Sequence, residues 1–175
     1  MPLKDTSCRY GTVSRALHWG MAALFAAQFL SAAAHWSLPR ENAVRETLWS
    51  YHGTLFVLVL LRGTWGLANM PRRPPAHQGI IGRAAVAGHL AIYALMVIVP
   101  AVRFVAAAGS DRGLTYLGIT LLAPREVEIA WMQAPAEWHG EMGWILGVLV
   151  LGQIAMAVIW HRMIRRDGTM QRMAG

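Results

Sequence analysis

The stretch from Glu137 to His161, E-W-H-G-E-M-G-W-I-L-G-V-L-V-L-G-Q-I-A-M-A-V-I-W-H, constrains the fold more than any other part of the chain. As a helix, an apolar run of this length spans the hydrocarbon of a bilayer. It carries His139 near one end and Gln153 near the other, fourteen residues on. Fourteen residues is close to four helical turns, so the two side chains share a face and stand about 21 Å apart. That separation suits two cofactors stacked across a membrane. A histidine is in place for the first, and a glutamine stands where a ligand for the second is wanted.

Three further apolar segments precede it, and the predicted helices run over approximately 14–36, 47–68, 84–107 and 137–161. Hydrophobic residues make up 55% of the chain and charged ones only 14%, with a mean hydropathy of +0.37, which points away from a water-soluble globule. Residues 1–175 therefore read as a single transmembrane domain, an all-α, integral membrane four-helix bundle. Between the third and fourth segments lies the longest outer loop, Gly109 to Pro135. Its pieces Y-L-G-I-T-L-L-A-P and V-E-I-A-W-M are too short to span and read as interfacial turns or a short surface helix. Pro100 is expected to kink the third helix or end its regular part.

The formal charge of +7 and pI near 10.7 would suit a nucleic-acid partner, but the positions of the charges argue against one. With alternating helices, Lys4, Arg9, Arg15, Arg72, Arg73, Arg83, Arg162, Arg165, Arg166 and Arg172 fall on one side, and Arg40, Arg45, Arg112 and Arg125 on the other. Such an asymmetry places both termini in the cytoplasm and leaves membrane lipid, with its anionic head groups, as the partner of the basic surface. Cys8 is the single cysteine, so no disulfide forms within the chain and no C-x-x-C-H attaches haem covalently. A cleavable signal peptide, suggested by Lys4, Arg9 and Arg15 ahead of Ala32-Ala33-Ala34, is disfavoured because the apolar run continues to Trp36.

Histidines inside the apolar segments carry the chemistry. His18 and His89 fall near the cytoplasmic side, His52 and His139 near the outer side, and two imidazoles from different helices at one level can clamp an iron between them. A lone buried histidine usually bonds to a neighbouring helix, but three at matched depths favour ligation. Two axial histidines leave the iron no open position, which favours electron transfer over oxygen chemistry. Gly20, Gly53 and Gly140 beside them would thin the backbone for a flat porphyrin, or simply serve helix packing. His35 and His77 read as surface residues and His161 as an interfacial one. Arg62 and Arg103 lie at or inside helix ends. Arg62 pairs with a haem propionate or quinone carbonyl, or else snorkels to phosphate.

Taken together, R-A-L-H-W, Y-H-G-T-L, L-L-R-G-T-W ahead of P-R-R-P-P, A-G-H-L-A-I-Y-A-L, G-I-T-L-L-A-P, E-W-H-G and R-R-D-G-T-M-Q-R-M resemble, in order and spacing, the bacterial cytochrome b561 family. These are four-helix di-haem b proteins related to the cytochrome b subunits of nickel–iron hydrogenases and formate dehydrogenases. The resemblance implies an outer haem b held by His52 and His139, and an inner one held by His18 and the residue at position 153. It also implies electron exchange with a membrane quinone, and some relatives oxidise superoxide at the outer face. Gln153 departs from the pattern, because glutamine is a poor ligand for haem iron. Four outcomes stay open: no inner haem, a five-coordinate iron on His18, a sulfur from Met156, or a nitrogen from His89 on the third helix. Loss or alteration of the inner haem is the expectation.

The function expected is thus a b-type cytochrome of the bacterial inner membrane that moves electrons between an outer-face donor and the quinone pool of a respiratory chain. His89, His77 or Arg62 would assist proton uptake at the inner face. A haem-bearing membrane anchor for a larger dehydrogenase, docking a partner subunit or a periplasmic redox protein, is the alternative.

Overall fold

The computed structural model describes residues 2–39, 43, 53–72 and 79–174. His52, Trp49 and His77 lie outside the described residues. Helix α1 covers Thr12–Ser37, α2 Thr54–Asn69 with a 3-10 turn at Met70–Arg72, and α3 Gly79–Ala108. After a hairpin come α4 (Ala130–Glu137), α5 (His139–Ala155), a π-helical continuation at Met156–Arg165, and the short α6 (Thr169–Ala174). Among the described residues, three helical stretches are long and apolar enough to cross a membrane: Thr12–Ser37, Gly79–Ala108 and the run Ala130–Arg165.

Local sequence explains the boundaries. Helix α1 stops at Leu38, whose extended backbone (φ −107°, ψ 147°) is what a residue before proline adopts, and Pro39 follows. Pro100 removes one rung of the α3 ladder without ending the helix, which continues to Ala108. Proline is tolerated where neighbouring helices satisfy freed backbone groups.

The all-α expectation needs one correction. Leu114–Tyr116 and Ile119–Leu122 form a two-stranded antiparallel hairpin, where interfacial turns or a surface helix were expected. Leu117 (φ 49°) and Gly118 (φ 80°) both adopt left-handed backbone, the geometry of a two-residue turn whose twist matches its strands. Thr115, Tyr116, Ile119 and Thr120 beside it are strand-favouring residues. The hairpin docks on the start of α2: the Tyr116 hydroxyl hydrogen-bonds the Thr54 hydroxyl, and its ring lies against Gly53. The second loop piece is extended at Ile129 and enters the short helix α4 at Ala130.

The core is narrow. Met21 and Phe25 of α1, Val59 of α2, Met96 of α3 and Leu146 of α5 are buried together, with Phe29, Leu58, Ile92, Tyr93 and Val150 packed around them. Most apolar side chains instead face outward: in the most hydrophobic window of Ala130–Arg165 only 11% of residues are buried. Water would not tolerate such a surface, whereas lipid tails do. Contacts fix the helix directions. Helix α3 runs opposite to α5, since His89 meets Gln153 and Val99 meets His139. Helix α1 runs opposite to α2, since Ser14 meets Trp65 and Gly20 meets Leu58.

The two chain ends interlock. Tyr10 N–H donates to the Arg172 carbonyl at 3.2 Å, and Arg15 Nε donates to the Met173 carbonyl at 3.1 Å. Asp167, just past the membrane-spanning run, accepts from Thr169 N–H at 3.1 Å and from His161 Nδ1 at 2.7 Å. The Thr169 side chain first, then His161, hold its carboxyl below the usual carboxylate range. A depressed carboxylate contributes stability that is present above its unfolded pKa of about 3.9 and lost as pH falls through the lower folded value. Amides of Thr169–Ala174 should accordingly be protected from hydrogen exchange at pH 7 and lose protection well below pH 4. Asp167→Asn should lower protection at pH 7 and flatten that acid dependence.

Candidate functional site

The candidate residues fall at two levels, each built by interhelical bonds. At the first, α3 and α5 meet where His139 Nδ1 lies 2.9 Å from the Val99 carbonyl oxygen. A carbonyl only accepts, so Nδ1 carries the proton and Nε2 keeps a bare lone pair. This is how proteins hold an imidazole that is to bind a metal. Arg103, exposed on α3, lies within electrostatic range of the ring. His139 is half-buried, and Gly140 next to it has open space where a side chain would project. Gly20 faces Leu58, and Gly53 faces the Tyr116 ring.

At the second level, Arg62 of α2 is drawn into the protein: Nε donates to the Tyr93 hydroxyl at 3.2 Å and one terminal nitrogen to the Ser14 carbonyl at 3.3 Å. Trp65 Nε1 donates to the buried Ser14 hydroxyl at 2.9 Å. His18, one turn beyond Ser14 on α1, lies within electrostatic range of both Arg62 and His89. His89 Nδ1 sits 2.7 Å from the Ala85 carbonyl oxygen, and its Nε2 is 2.7 Å from the Gln153 side-chain nitrogen. The structure therefore brings His18, Arg62, His89 and Gln153 to one level and sets His139 apart at the other. His161, at the end of the membrane-spanning run, pairs with Asp167. His52 cannot be placed against His139, since it lies outside the described residues.

Sequence reading missed Ser14, Trp65 and Tyr93. Each stands three or four residues from a candidate (Ser14 and His18, Arg62 and Trp65, His89 and Tyr93), and a polar or aromatic partner one turn away on the same face is a legible signal. The backbone acceptors, the Val99 and Ala85 carbonyls, leave no mark in sequence.

Residues 9–175 match the family described as prokaryotic cytochrome b561. The chain belongs to that family. One relative, cytochrome b561 homolog 2 of Escherichia coli (strain K12), is 25% identical over 182 residues, a match covering 100% of this chain and 96% of the relative. A cytochrome b561 is a membrane protein, and membership implies b-type haem and electron transfer. His139 fits such a haem: its Nδ1–H is anchored and its Nε2 lone pair is available. Gln153 does not fit, because haem iron takes its axial ligands from imidazole, thioether, thiolate or phenolate, and here the amide is bonded to His89.

The Ser14 hydroxyl is the acceptor that lets Trp65 N–H be buried. Removing it strands that donor, at a cost of about 1–3 kcal/mol. Ser14→Ala should lower the thermal midpoint of the detergent-solubilised protein. The double variant S14A/W65F, which removes both partners, should recover most of the loss.

Proposed function

We propose that this cytochrome b561 is a four-helix, multi-pass protein of the bacterial inner membrane, both termini cytoplasmic, that passes single electrons from an outer-face donor to the quinone pool. The observation that carries the reading is His139, whose Nδ1–H is tied to the Val99 carbonyl so that Nε2 can hold an outer haem, with His52 as the partner the family pattern supplies. The orientation is supported by Lys4, Arg9, Arg15, Arg162, Arg165, Arg166 and Arg172, which gather at the end where the two termini meet.

Haem, when bound, supplies reversible one-electron chemistry at its iron. The protein's own residues do the rest. The Val99 carbonyl holds the His139 ring in one tautomer, which fixes the direction of the Nε2 lone pair. Met21, Phe25, Val59, Met96 and Leu146 fill the space between the two levels with apolar side chains and exclude water from it. At the inner level Arg62 presents positive charge to a quinone carbonyl or a propionate. Tyr93, which accepts from Arg62, keeps its own hydroxyl proton to donate to a reduced quinone.

The test is a reduced-minus-oxidised spectrum with haem b counted per chain, followed by quinone reduction in proteoliposomes given a donor outside only, superoxide being the first to try. Wild type should hold haem b and reduce quinone. His139→Ala should lose one haem per chain and at least a hundredfold in quinone-reduction rate. A wild-type protein devoid of haem would sink the proposal.

A further inference from the structure

At the inner level Gln153 offers an amide where haem iron would need an imidazole. Position 153 lies two heptads beyond His139, with buried Leu146 midway, so half-buried Gln153 shares their face of α5. The nitrogen of that amide is 2.7 Å from His89 Nε2. An imidazole from α3 thus reaches the place where the α5 side chain ends.

The His89 ring is prepared as the His139 ring is. Its Nδ1 is 2.7 Å from the Ala85 carbonyl, which accepts, so the proton is on Nδ1 and the Nε2 lone pair is bare. Gln153, an amide donor, meets that lone pair, consistent with this tautomer. In both histidines a carbonyl of α3 holds Nδ1, and in both Nε2 is left for another partner. His89 stands three residues before Ile92 and seven before the buried Met96, and its own ring is exposed beside Gln153. His18 of α1 lies within electrostatic range of it.

We propose that His89 is the axial ligand of an inner haem, taking with His18 the place that position 153 fills elsewhere in the family. This rests on the cytochrome reading above. On haem binding, His89 Nε2 exchanges its hydrogen bond from Gln153 for a bond to iron, and the freed amide turns aside; no proton or electron is moved. Gln153 is then a positioning residue, which holds the His89 ring in the haem-free chain.

Haem b per chain and the spin state of the oxidised iron, read by electron paramagnetic resonance, test this without recourse to activity. Wild type and Gln153→Ala should each hold two low-spin haems. His89→Ala should keep the outer low-spin haem while the second is lost or turns high-spin, and H89A/Q153H, with an imidazole returned on α5, should recover two low-spin haems. If H89A loses both haems, recovery in the double variant still supports the proposal, and its absence overturns it. A single haem in wild type, or two low-spin haems in H89A, would show a plain helix-to-helix bond and overturn the proposal while leaving the outer site and the cytochrome reading standing. No haem in wild type would end both.

Discussion

The pairing of α3 with α5 through two polar contacts is the constraint on which the site depends. In lipid the hydrophobic effect does not press helices together, so packing and interhelical hydrogen bonds set their register. Here the Val99 carbonyl bonds His139 at one level and His89 bonds Gln153 at the other, with Met96 and Leu146 buried between. Sliding α5 by one residue would turn its side chains by about 100° and break both contacts at once. The same bonds that fix the register also fix the tautomers. Structure and chemistry are therefore specified by one set of atoms.

The ends of the molecule are finished differently. At the end distant from the termini, Gln133 of α4 donates to the Ala106 carbonyl at 2.8 Å and Arg125 to the Ala108 carbonyl at 2.6 Å. These are carbonyls of the last turn of α3, which lack partners within the helix. The loop after the hairpin thus caps α3 and holds α4 across it. That contact in turn sets where α5 begins, and with it the depth of His139. At the other end the two chain termini bind each other, and the π-helical segment carries Arg162 and Arg165 on its last turn.

Much of this was legible in sequence, for a physical reason: spanning lengths and charge asymmetry are one-dimensional properties. The apolar segments, the placing of His18 and His89 near the end where the termini lie, and the oddity of Gln153 all follow from counting residues. The hairpin at Leu114–Leu122 was not legible, because its apolar residues suit an interfacial helix as well as a strand. What decides it is left-handed backbone at Leu117, a residue that rarely adopts it. Partner choice was equally hidden. Arg62 reads as a costly charge in an apolar segment, yet nothing along the chain says that Ser14 and Tyr93 receive it.

The two levels differ in how replaceable their parts are. His139 is held by a backbone carbonyl, which any residue at position 99 would supply, so this level tolerates change of the side chain there. The inner level is built mostly from side chains, in two hydrogen-bonded groups: Arg62 with Tyr93 and Ser14, whose hydroxyl also takes Trp65, and His89 with Gln153. For a ligand to come from a different helix, a second imidazole must already be close and its tautomer already set. His89 meets both conditions, with its proton on Nδ1 and its Nε2 beside position 153.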